Sequence, residues 1–259
     1  MQSVKWIGFG VSNALSRTVV HFFPSGGGVT APYPANCMLN LFSLTVDESI
    51  GGLAHKLEEK KIVLEGARLS QPDGVRLDQA FEDLSQGVKG FFGITVELST
   101  GQPKVDLSGS SCIIEHSSRA NSLRYYPKPL FAPLLVQQTQ PAPVLLAVED
   151  ALTLTTLVVV NGSALPFEPK LQMVGEAKKG SSQVDGRIQR AVHSEIVPAQ
   201  SVVEVPIAGD SYSDLVPFEG AAGLIRAGGI YGETLPADIA VFALYRDLTT
   251  KRPISVCAL

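Results

Sequence analysis

The feature that most restricts what this chain can fold into is a faint internal repeat. Gly90-Phe91-Phe92-Gly93-Ile94 is echoed 130 residues later by Gly220-Ala221-Ala222-Gly223-Leu224. Carried forward without a gap, that offset lays Ile114 on Leu244 and His116 on Arg246. Upstream, Phe81-Glu82-Asp83-Leu84 answers Tyr212-Ser213-Asp214-Leu215, and Val75-Arg76-Leu77 answers Val205-Pro206-Ile207. Self-similarity at a fixed period marks a repeated structural unit, so a fold assigned to one half has to serve for the other. With 259 residues the chain has room for two ordinary domains.

The texture of each half is that of short strands. Apolar or alternating runs at 17–23, 37–46, 62–69, 75–81, 91–98, 111–116 and 123–126 are bounded by turn residues. The same grammar returns at 144–148, 152–160, 171–177, 188–197, 201–207, 222–226, 239–245 and 254–258. Pro72-Asp73-Gly74 is a turn with a mechanism: proline presets φ, aspartate bonds back to the backbone, and glycine accepts positive φ. Residues 48–61 are rich in helix formers and fit either a short helix or a charged hairpin, and 78–86 fits a helical turn. Five prolines at 127, 129, 133, 141 and 143 mark a boundary. These signals predict an all-β chain of two tandem antiparallel β-sandwich domains, with at most one or two short helices: 1–130, a proline-rich linker at 131–143, and 144–259.

Composition narrows the function. Charged residues make up 18% of the chain, against about 25% in an average soluble domain. So little charge leaves surface that is hard to solvate, and it predicts a homo-oligomer or a protein partner. A net charge of −4 without basic clusters gives no reason to expect nucleic acid. No run reaches the length of a helical membrane span, and no signal-peptide pattern precedes the first strand. The three cysteines, Cys37, Cys112 and Cys257, lack metal or redox spacing. They read as small hydrophobes in a reducing, cytoplasmic setting.

Catalytic patterns are missing from the sequence. The four histidines have no metal-ligand spacing, no G-x-S-x-G elbow occurs, and no cofactor motif is present. Gly-x-x-Gly is followed by the β-branched run Ile94-Thr95-Val96, not by the helix that a phosphate loop needs. Cys112 and His116 share one face of a strand but stand about 13 Å apart along it, too far for a thiol–imidazole pair. His21 reads as a core or edge position. Ligand-binding candidates are Glu115, His116 and Arg119 at the end of one strand, with Tyr125, Tyr126, Tyr245 and Arg246 at corresponding ends of the two halves.

The stretch Ile113-Ile114-Glu115-His116-Ser117-Ser118-Arg119 resembles the closing strand and His/Arg tail of small bacterial sandwich proteins of the sensory-rhodopsin-transducer type. The resemblance covers only the last strands of the first half and implies a non-enzymatic, oligomeric sandwich. The leading expectation is therefore a non-catalytic binding or assembly protein. The alternative is a carbohydrate or small-ligand binder, and an enzyme with a site between the domains ranks third.

Overall fold

Strand pairing repeats almost ladder for ladder between the halves of the chain. The computed structural model describes residues 2–12, 16–23, 35–42, 60–64, 69, 73–81, 90–102, 106–118, 122–130, 145–179, 187–193, 195–207, 209–220, 223–232, 235–250 and 252–258. The first half holds β1 (Gln2–Ser12), β2 (Ser16–Phe23), β3 (Asn36–Phe42), β4 (Lys60–Leu64), β5 (Val75–Arg76), the one-turn helix α1 (Leu77–Ala80), β6 (Gly90–Thr100), β7 (Ser111–Ser118), β8 (Ser122–Tyr125) and β9 (Lys128–Leu130). The second half holds β10 (Leu145–Glu149), β11 (Thr153–Asn161), β12 (Leu171–Glu176), β13 (Arg187–His193), β14 (Ser201–Pro206), a 3-10 turn (Gly209–Tyr212), β15 (Phe218–Gly220), β16 (Gly223–Tyr231), β17 (Ile239–Asp247) and β18 (Pro253–Ala258).

The fold is all-β, and every named strand pair is antiparallel. In the first half, one sheet runs β4-β3-β6-β1-β9 and the other β5-β2-β7-β8. In the second half the orders are β13-β12-β16-β10 and β14-β11-β17-β18, fused into one sheet where Glu149 pairs with Leu154. Strand for strand, β1–β4 match β10–β13, β5 matches β14, and β6–β8 match β16–β18. The sheet containing β1 or β10 is called here the leading sheet, and the one containing β2 or β11 the trailing sheet.

One expectation about local structure changes. Residues 75–81, expected as one strand, pair for two residues only and then turn into α1, whose Leu77 is buried and whose Phe81 amide closes the turn on the Leu77 carbonyl. The 3-10 turn with buried Tyr212 stands at the same place in the second half. Gly74 does take the expected positive φ, 71°. The expectations at 48–59, in the linker at 131–143 and at Arg119 lie outside the described residues.

Gly-x-x-Gly plays different parts in the two halves. Gly90 and Gly93 both lie within β6, opposite Ser12 and Phe9 of β1. Gly220 and Gly223 instead face each other across the β15–β16 hairpin, with Gly223 at φ 118°. The ladder partner of Gly93 is Phe9, and the matching residue of β16 is Gly229, opposite Leu146. The resemblance that exposed the repeat therefore has the wrong register at its glycines, because a two-residue turn and a strand entry both select glycine for its φ freedom.

Burial alternates along the strands, and in four of them it extends to both faces. On β11, Leu157 and Val159 enter one core while Val158 and Val160 enter the other. On β17, Val241 and Ala243 go one way and Ala240, Phe242 and Leu244 the other. On β1 and β6, Phe92 and Ile94 line the inner core while Ile7, Phe9 and Phe91 face outward yet stay at or below 6% exposed. What covers them is the second half. Phe242 meets Phe9 edge-to-face at 5.2 Å between centroids. A Cβ on Gly162 would sit 2.6 Å from Ile7 Cδ1, so glycine lets the two halves approach without displacing that side chain. The outer face of the second trailing sheet is thus docked on the outer face of the first leading sheet.

Candidate functional site

Two groups of polar side chains stand out, one inside the first half and one on its surface. The first lies where β1 runs out of strand partners. Its edge bonds to β9 only from Lys5 to Ile7, so the amide and carbonyl of Phe9 need other partners. Tyr125 Oη accepts from the Phe9 amide at 2.7 Å and donates to the Phe9 carbonyl at 2.5 Å. His116 Nε2 donates to the same carbonyl at 3.1 Å. Two residues on, Thr18 Oγ1 accepts from the Val11 amide and donates to its carbonyl, both at 3.0 Å.

This edge seal is repeated. Thr155 Oγ1 bridges the amide and carbonyl of Val148 at 2.8 Å, and Tyr245 Oη donates to the Leu146 carbonyl at 2.6 Å. Thr155 follows Thr18, Val148 follows Val11 and Leu146 follows Phe9, each 137 residues later. On that register the counterpart of His116 is Tyr245, not Arg246, and Ile114 falls on Ala243. Burial pushes the His116 imidazole down to about 4 despite its bond to the Phe9 carbonyl. It is therefore neutral at pH 7 with the proton on Nε2, and its buried Nδ1 has no hydrogen-bond partner among the described residues. Burial likewise pushes the Tyr125 hydroxyl well up.

The second group lies on the outer face of the first trailing sheet. Glu115 on β7 is flanked by His21 on β2 and Arg124 on β8, which the ladders bring alongside it. His21 Nε2 and Arg124 Nε donate to Glu115 Oε2 at 2.9 and 2.7 Å, and Ser122 Oγ donates to Oε1 at 2.7 Å. Burial works against ionisation of Glu115, but the bonds from Ser122, Arg124 and His21 outweigh it and hold the carboxyl below its ordinary value. Further along the same face Arg76 and Asp78 pair at 2.7 Å, with Arg17 3.7 Å from the same carboxylate.

The candidates read from sequence are thus divided. Glu115 belongs to the surface group, while His116 and Tyr125 meet at the Phe9 carbonyl with their rings 5.5 Å apart. Tyr126 is 65% exposed and stands outside both groups. Tyr245 seals the second edge. Arg246 lies between the halves, donating to Glu204 Oε1 at 2.8 Å with its guanidinium 5.4 Å from the Phe91 ring centroid. His21, Ser122 and Arg124 did not emerge from sequence, although His21 and Glu115 each occupy the outward parity of an alternating strand. Among the described residues, no group of three or more His, Cys, Asp or Glu side chains is placed to hold a metal ion. No protein-family model matches the chain, and no curated protein matches it.

Proposed function

We propose that this chain is a non-catalytic assembly protein, built from a duplicated β-sandwich module and acting through the outer faces of its sheets. The observation that carries this reading is the docking between the halves: an outer sheet face of this module is already buried against another sheet of the same chain, with Phe242 seated against Phe9 and Tyr125. The low charge content supports it, since such a surface is poorly suited to full solvation. The polar groups support it too. Glu115, His116, Tyr125 and Thr18 spend hydrogen bonds on backbone or neighbouring side chains, as scaffold residues do. Cys37 and Cys112, buried thiols pushed up by burial, fit a reducing cytoplasmic setting.

Sedimentation or light scattering of the purified chain tests the reading. The expected mass is a multiple of 27.5 kDa at micromolar concentration. A strict monomer throughout the accessible concentration range would sink the assembly reading.

A further inference from the structure

The leading sheet of the first half hides its outer face under the second half. Among the described residues, the same face of the second half has no such cover. On β16, Ala227, Gly229 and Tyr231 point outward, flanked by Leu146 and Val148 of β10 and Val174 of β12. Leu146 is 51% and Tyr231 41% exposed, whereas their counterparts Phe9 and Thr95 are at 0% and 9%. Phe218, opposite Ile225 in the β15–β16 hairpin, extends the same face and is 51% exposed. Among the described residues, ten of the thirteen exposed large hydrophobics lie in the second half. The centre of the face is uncharged. Its polar residues lie toward the margin, where Gln189 donates to Gln172 and Glu176 stands opposite Arg187.

We propose that this face is a docking surface for a second copy of the chain, joined to the same face of that copy around a two-fold axis. The proposal rests on the assembly reading and names its surface. In the first half the equivalent face is covered by the apolar outer face of a trailing sheet, so this position in the module can be buried against a sheet. Among the described residues, a second copy has two outer sheet faces left to offer. One is the first trailing sheet, where the Glu115 carboxylate and its His21 and Arg124 partners would have to leave water without gaining a charge of their own. The other is the uncharged face itself. Apolar surface against apolar surface removes the most area from water with no stranded charge, and self-complementary pairing closes at two copies.

Leu146→Glu and Tyr231→Glu test the proposal, with Phe23→Ser on the opposite outer face as control. Because the pairing is symmetric, each glutamate enters the interface twice. The wild-type chain and Phe23→Ser are expected to sediment as dimers. Either glutamate variant is expected to run as a monomer with its thermal transition retained, and its dimer dissociation constant is expected to rise by about a hundredfold or more. If the wild type assembles and both glutamate variants assemble equally well, this face is not the interface and the assembly reading survives. A monomeric wild type removes both. Open-ended growth that Phe23→Ser or Arg124→Glu abolishes assigns the contact to the first trailing sheet and overturns the two-fold pairing.

Discussion

Val158, Leu244 and Val256 occupy in the second half the positions that His21, Glu115 and Arg124 occupy in the first. One trio belongs to a face buried against a neighbouring sheet. The other belongs to a face turned to solvent, with a carboxylate fastened by three donors. The strands, their order and their edge seals are common to both, and the difference between the docked face and the solvent-facing one lies in outward positions, these three among them. An apolar trio gains from leaving water. A buried carboxylate tolerates its site only while its partners stay in place.

Moving the charge to the wrong trio gives the largest expected effect. Leu244→Glu places a carboxylate between the halves without the histidine and arginine that hold Glu115. Urea denaturation should show a loss of about 4 to 5 kcal/mol. A loss below about 1 kcal/mol would mean that the docked face is not dry.

Titration separates the edge seals next. His116 takes a proton readily only when unfolded, so the unfolded state binds more protons as pH falls from about 6.5 toward the native value of about 4. Stability is expected to drop by on the order of 3 kcal/mol through that window and to level off below it. Tyr245, its counterpart, does not titrate there. His116→Phe should flatten the slope between pH 6.5 and 4, and an unchanged slope would assign it to other groups.

Glu115→Gln addresses the closed face directly. The variant keeps an acceptor but loses the charge, and a destabilisation of about 1 to 2 kcal/mol at pH 7 is expected. Because its partners hold the native carboxyl below its ordinary value, that contribution is fully present above the ordinary carboxylate range. It fades as pH falls through the native value. Wild type and variant should therefore converge in strong acid, and a gap that persists there would point to packing instead of charge.

The smallest effect tests the equivalence itself. Thr18→Val and Thr155→Val each remove a hydroxyl that bridges one residue's amide and carbonyl, and each should cost about 1 kcal/mol. Losses that differ by more than about 1 kcal/mol in equilibrium unfolding would show that the two seals are alike in geometry only.

Sequence reached the fold class because most strands advertise themselves. Residues 17–23 and 239–245 are apolar runs with clear ends, and Pro72-Asp73-Gly74 fixes its own turn. It did not reach β1. With Trp6 and Gly8 facing one core and Ile7 and Phe9 the other sheet, the strand shows no alternation, and its glycines resemble breaks. The repeat was visible, yet its register was not, because glycine answers to backbone need and not to ladder position. Glu115 was legible as a polar residue in an apolar strand. Its partner His21, 94 residues away, becomes a neighbour only when β2 pairs with β7.

The aromatic face of β1 and β6 also has a history within every synthesis of the protein. At about 5 to 20 residues per second, the ribosome needs roughly 6 to 23 seconds to extend the chain from the first half to the end of β17. Throughout that interval Ile7, Phe9 and Phe91 have no β17 to cover them. An apolar face left open for that long favours self-association of unfinished chains, and neighbouring ribosomes on one message would hold several such faces side by side.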